Sequence, residues 1–166
     1  VKESEMIFLE GYLWDEGEPK SAFDKALSLA NKTAMTLSDQ FCVERHKSSF
    51  LDLVKNKLDI VFANELEIKS LINASSFEEV ITFGKQLNKS LIITRGEQGS
   101  VAIIKNEVTE CESEKKLNII DLTGAGDLFA AGFLHGHINN LSIKESLEKG
   151  TKMSSKIIQK IGARLN

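Results

Sequence analysis

The chain is poor in the residues that stiffen, break or cross-link a fold. Its 166 residues include one proline (Pro19), one tryptophan, one tyrosine and two cysteines. Cys42 and Cys111 lie far apart and in no paired motif, which argues against a disulfide framework and a structural zinc site. The simplest role for each is that of a small buried hydrophobe, and the default setting is reducing and cytoplasmic. No apolar run approaches the length of a membrane span, and no charged-then-apolar leader opens the chain. Positive charge is not in excess either. Lys and Arg number 21 against 24 Asp and Glu, a net charge of -3, so a nucleic-acid backbone is not an expected partner. There is no low-complexity run, internal repeat or linker, and residues 1–166 read as a single domain. The chain opens at Val1 without a Met, inside what reads as a running strand, so the expectation is a piece of something longer.

What is present suits a globular fold. Hydrophobic residues make up 42% and charged residues 27%, richer in apolar side chains than a disordered chain. A chain of this length buries roughly 70% of its unfolded surface. Short β-rich runs alternate with helical stretches. Met6 to Leu9, Thr33 to Leu37, Asp59 to Ala63 and Leu91 to Thr94 read as strands, the last two apolar enough to be covered on both faces. Ser21–Ala30, Val43–Lys55, Glu65–Leu71 and Phe77–Leu87 carry helical periodicity. Beyond Gly96 the period shortens. Ser100–Lys105 and Val108–Cys111 predict a hairpin about Asn106-Glu107, and Gly126–Ile138 and Ile143–Ile161 predict two more helices. Strands alternating with helices predict an α/β fold built from βαβ units around a mostly parallel sheet.

The sharpest local signal is Asp121-Leu122-Thr123-Gly124-Ala125-Gly126-Asp127, between Asn118-Ile119-Ile120, read as a strand end, and the apolar helix that follows. Two glycines let a backbone approach an anion closely, and the free N–H groups of a helix start point towards it. A dinucleotide fingerprint needs a third glycine where Phe129 stands. A P-loop needs Gly-Lys-Ser/Thr, which occurs nowhere in the chain. Asp127 has two readings. It can accept a proton from an attacking hydroxyl beside a transferring phosphoryl group, or it can favour the first helical turn through the helix dipole.

Asp121 to Asp127 resembles the signature of the PfkB family of carbohydrate and nucleoside kinases, Asp-Thr-x-Gly-Ala-Gly-Asp before an apolar helix. Three more segments agree in order. Asn64-Glu65-Leu66-Glu67 is similar to the family's Asn-x-x-Glu motif, Thr94-Arg95-Gly96-Glu97-Gln98-Gly99 to its Thr-x-Gly-x-x-Gly nucleotide segment, and Ile158 to Ala163 to its closing helix ending in Gly-Ala. Ser38 to His46 and the closing Gly-Ala-Arg look closest to adenosine-kinase-like sugar kinases. The resemblance covers Met6 to the C-terminus and matches only the C-terminal half of that family. The N-terminal half, with its Gly-Gly substrate motif and small β lid, has no counterpart here.

The resemblance implies a three-layer α/β/α, ribokinase-like (Rossmann-like) fold with ATP over the carboxyl edge of the sheet. It implies an ATP-dependent phosphotransferase acting on a sugar or nucleoside hydroxyl. Asp127 would be the base, and Gly124, Ala125 and Gly126 an anion hole of backbone donors. Asp121 and Thr123 match positions that bind a monovalent cation, K⁺ being the candidate. Leu122 departs from the commoner Thr or Pro at a position that contributes mostly backbone. Asn64 and Glu67 would organise Mg²⁺ and the phosphates through water. Thr94, Gly96 and Gly99 belong to the ATP segment, and Thr151 either lies near the adenine or is an ordinary helix-surface residue. The competing reading is a catalytically silent nucleotide-binding fragment, and a homodimer is one expected outcome of an uncovered sheet edge. His135 and His137, two apart on a helix, point to different faces and make no metal site. Lys149, Lys152, Lys156 and Lys160 read as a solvated helix face.

Overall fold

The computed structural model describes residues 1–14 and 19–165. Six strands are hydrogen-bonded side by side in chain order: β1 (Ile7–Glu10), β2 (Thr33–Thr36), β3 (Ile60–Asn64), β4 (Ser90–Thr94), β5 (Ser100–Ile104) and β6 (Glu107–Cys111). β1 runs parallel to β2, pairing Ile7 with Thr33, and β2 runs parallel to β3, pairing Ala34 with Ile60. The helices are α1 (Pro19–Leu29), α2 (Gln40–Arg45), α3 (Lys47–Asp52), α4 (Glu65–Ile72), α5 (Phe77–Leu87), α6 (Ala125–Ile138) and α7 (Ile143–Ile157). The expected α/β class is the one observed, with a mixed sheet.

The contacts divide the chain into two compact units, residues 1–93 with 103–107 and residues 94–102 with 108–166. In the first, Ile60 to Ala63 of β3 and Leu91 to Ile93 of β4 are all buried. Such continuous apolar runs need cover on both faces, as their lack of alternation predicts. Met35, Leu37, Val43, Phe50, Leu58, Ile68 and Leu71 complete that core, each fully buried. In the second unit, α6 and α7 pack against each other through glycine. A Cβ at Gly132 would lie 2.7 Å from the Lys149 carbonyl oxygen, and one at Gly150 would lie 2.8 Å from that of Phe129. The backbones therefore approach more closely than any side chain permits.

Several boundaries differ from the sequence expectation, each for a local reason. The helix expected over Val43–Lys55 begins at Gln40, because the Asp39 side chain caps it by accepting from the Cys42 N–H at 2.6 Å. It breaks at His46 (φ -115°, ψ 22°), continues as α3, and ends in a π-turn over Leu53–Lys57. The hairpin turns at Lys105-Asn106, one residue early. Both residues have positive φ (50° and 71°), the geometry whose twist matches a two-residue hairpin. Asn118-Ile119-Ile120 forms no strand. Ile119 and Ile120 are about half exposed, and the Ile120 N–H donates to the Ile158 carbonyl at 2.8 Å. The last helix stops at Ile157 instead of Ile161, and Gly162 follows with φ 84°.

Candidate functional site

In the second unit, the turn before α6 is built by Asp121. Its Oδ1 accepts from the Thr123 N–H at 2.9 Å and the Thr123 hydroxyl at 2.7 Å, and its Oδ2 accepts from the Gly162 N–H at 2.8 Å. These bonds, the one from Gly162 foremost, hold the Asp121 carboxyl down at about 2. The closing Gly-Ala segment thus meets the glycine turn. Ala163 packs against Gly124, where an added Cβ would come within 2.8 Å of the Ala163 Cβ. Gly124 sits at φ 78°, ψ 4° as the N-cap, a left-handed conformation that glycine takes without strain.

The donors of this turn are not equivalent. The Ala125 N–H donates to the Leu122 carbonyl at 3.1 Å, and the first helical bond of α6 runs from Leu128 N–H to Gly124 at 2.9 Å. The N–H groups of Gly126 and Asp127 lie in the first turn, where a helix offers no internal acceptor. Of the backbone donors expected over Gly124 to Gly126, that of Ala125 is occupied within the turn. The Asp127 amide, which sequence reasoning did not single out, lies in the same open turn. Any helix N-terminus carries such a signal. Asp127 itself is exposed in that turn. At Gly126 an added Cβ would meet nothing within 4 Å.

A cleft of about 590 Å³ lies within this unit, in the range of roughly 300–1,000 Å³ common for small-molecule sites. Thr94, Gly96, Gly99, Ala125, Gly126 and Thr151 all line it. Six residues singled out from three separate stretches of sequence therefore line one cleft. Apolar Leu117, Ile119, Leu122, Phe129 and Ile158 line it as well. Gly96 has φ 57° and open space where a Cβ would be, whereas a Cβ at Gly99 would fall 2.0 Å from the Cys111 carbonyl oxygen. Sequence reasoning missed Ser100, Ser113, Lys115 and Lys116 on this wall; they stand in no motif.

Asn64 and Glu67 belong to the first unit. They form a capping box at the start of α4. The Asn64 Oδ1 accepts from the Glu67 N–H, and the Glu67 carboxylate accepts from the Asn64 N–H at 2.9 Å and from its Nδ2 at 2.6 Å. Glu67 is only 4% exposed. Burial, reinforced by the charge of Asp39 and opposed by the Asn64 bonds, pushes its carboxyl up to about 7. Tyr12, hydrogen-bonded to Asp39, is pushed up to about 12, chiefly by burial. Among the described residues no group of three His, Cys, Asp or Glu gathers to hold a metal ion, and no helix is long and apolar enough to cross a membrane.

The family model for pfkB family carbohydrate kinases matches residues 1–166. The chain belongs to this family. An adenosine kinase from Sinorhizobium meliloti superposes with a TM-score of 0.95 at 37% identity, over 99% of this chain and 52% of that one. A ribokinase from Lactococcus lactis is 35% identical over 106 residues, 64% of this chain and 34% of the relative. A fructokinase from Vibrio cholerae, solved with fructose, ADP and calcium ion, shares the fold with a TM-score of 0.83 at 17% identity, over 95% of this chain and 56% of that one. The chain thus spans about half the length of its solved relatives and a third of the ribokinase. Such relatives are sugar and nucleoside kinases of the ribokinase-like fold.

Proposed function

We propose that this chain is the nucleotide-binding, proton-accepting half of an ATP-dependent kinase that phosphorylates a sugar or nucleoside hydroxyl. The observation that carries the reading is the cleft in which Thr94, Gly96, Gly99 and Thr151 share a wall with Ala125 and Gly126. In this reading the nucleotide lies in the cleft. The N–H groups of Gly126 and Asp127, at the open first turn of α6, donate to the oxygens of the transferring phosphoryl group, where charge develops. The Asp127 carboxylate accepts the proton of the acceptor hydroxyl as the new O–P bond forms. Its exposed position leaves room for that hydroxyl.

The residues present fit the ions such a reaction uses. Asn64 and Glu67 offer hard oxygen donors in a buried acidic setting with Asp39 nearby. They suit water-mediated organisation of Mg²⁺, which keeps much of its hydration shell and needs few protein ligands. Bound Mg²⁺ neutralises phosphate charge. Asp121, held ionised, and Thr123 suit a monovalent cation such as K⁺ beside the turn.

Calorimetric titration of the folded chain with ADP or ATP in the presence of Mg²⁺ is expected to show weak binding. Absence of both heat and thermal protection at high nucleotide would overturn the reading. A second reading, a nucleotide-binding piece without catalysis of its own, is favoured by the 52% coverage of the adenosine kinase. Binding without acceptor-dependent ADP release selects it.

A further inference from the structure

α6 and α7 pack together, yet their outward sides differ. α7 turns Lys144, Glu145, Glu148, Lys152 and Lys156 to solvent, as a surface helix does. α6 contains a single Asp, Glu, Lys or Arg, which is Asp127. It is apolar on every side, the composition of a helix that is covered all round. One side is covered: Phe129, Ala130, Gly132, Phe133 and Gly136 are buried. The other is not. Asp127, Ala131 and Ile138 are exposed, Ile138 to 42%, and Leu134 is half-buried.

Steps of four, three and four residues put Asp127, Ala131, Leu134 and Ile138 on one stripe. With a rise of about 1.5 Å per residue, Ala131 stands about 6 Å along the axis from Asp127, and Ile138 about 16 Å. Whatever covers the apolar length of the stripe therefore stands beside the Asp127 carboxylate. Two observations select the occupant. The adenosine kinase from Sinorhizobium meliloti is matched over 99% of this chain but only 52% of its own, so nearly as much polypeptide again lies outside the match. Proton transfer to Asp127 also needs an acceptor hydroxyl held against it. A second copy of this chain repeats the nucleotide half and brings no such hydroxyl.

We propose that the outer stripe of α6 is a docking surface for the complementary, acceptor-holding half of a kinase of this family, and that the two halves assemble through it even as separate polypeptides. The choice of occupant rests on the reading of Asp127 above and deepens it. Docking on Ala131, Leu134 and Ile138 covers the one side of α6 left open and sets the acceptor-holding half next to the base in the same event.

The test co-produces this chain with the half of the Sinorhizobium meliloti adenosine kinase that it does not match, so that neither piece has to fold alone, and recovers them through a tag on one. An equimolar complex is expected on size-exclusion chromatography. Ala131→Arg and Ile138→Lys change exposed positions, so the unfolding temperature and ADP affinity of the chain alone should stay as in the wild type. Recovery of the complex should nevertheless fall by about tenfold or more, the cost of a charge placed at an apolar interface centre. Lys152→Glu, on the outward side of α7, should leave recovery unchanged. No complex with the wild-type chain, or variants recovered as well as the wild type, would overturn the inference. Self-association of the chain that the same two substitutions abolish, without a complex, would give the stripe to a second copy and overturn it equally. Titration with ADP separates this inference from the nucleotide reading. A chain that binds ADP but not the complementary half sinks the inference alone, and a complex that binds no ADP sinks the nucleotide reading alone.

Discussion

A methyl group at Gly126 would meet no protein atom within 4 Å, whereas one at Gly124 would strike Ala163 from a left-handed backbone. Packing therefore explains the first glycine of the turn and leaves the second to whatever approaches from outside. Gly124→Ala should destabilise the chain by about 1–3 kcal/mol through strain and contact. Gly126→Ala should leave the unfolding temperature unchanged or slightly higher, since alanine favours a helical turn, yet weaken binding of nucleotide with Mg²⁺. Equal losses of stability in both variants would remove the ligand argument. Asp127→Asn, made in a protein carrying both halves of the kinase, should retain nucleotide affinity and lower turnover by about two to four orders of magnitude, the usual worth of a general base. Turnover within a few-fold of the parent would show that Asp127 serves only the helix.

The start of α4 falls at Glu65, where periodicity placed it. Asn64 and Glu67 matched a motif, but their mutual bonds are also an ordinary capping box, so they support the helix whatever else they do. Glu67 carries a measurable signature of its burial. Its folded pKa, about 7, lies above the ordinary 4.5. The stability this contributes is complete below about pH 4.5 and is lost as pH rises through about 7. Each pH unit is worth about 1.4 kcal/mol, so the whole effect is about 3 kcal/mol at most. Denaturation without Mg²⁺ should show wild type losing stability relative to Glu67→Gln from pH 4.5 to 7, with a constant difference above. A difference independent of pH would mean that Glu67 ionises freely. In the hairpin, both turn residues have positive φ, and Asn106→Gly should stabilise the chain by about 0.5–1 kcal/mol.

For the molecule as a whole, the deciding fact is that the chain spans about half of its solved relatives. Phosphoryl transfer depends on holding the acceptor against the base, and effective molarity accounts for several kcal/mol of the barrier. The 166-residue chain should therefore bind nucleotide without rapid acceptor-dependent turnover. β1 stands at one end of the strand order, with Phe8 38% exposed. An uncovered strand edge favours pairing with another copy. Light scattering should show concentration-dependent association, a homodimer or larger, that Phe8→Lys reduces. A monodisperse monomer releasing ADP at about one per second with adenosine, ribose or fructose, within the ordinary kinase range, would contradict both expectations.

Periodicity was enough for the α/β class, the parallel start of the sheet and the glycine turn before α6, because these depend on local backbone preferences and on residue types at short range; the family was legible through the resemblance of four ordered motifs. Boundaries set by one side chain escaped, such as the Asp39 cap and the break at His46. Asn118 to Ile120 escaped for a different reason. Ile119 and Ile120 have strand propensity, but the Ile120 N–H donates to Ile158 and the Asn118 N–H to the Gln159 side chain, far along the chain. Only the tertiary structure could place Ala163 on Gly124 and gather Thr94, Gly96, Gly99 and Thr151 on one cleft. Each of these is a contact between distant segments, and no local preference of the chain encodes the distance at which distant segments meet.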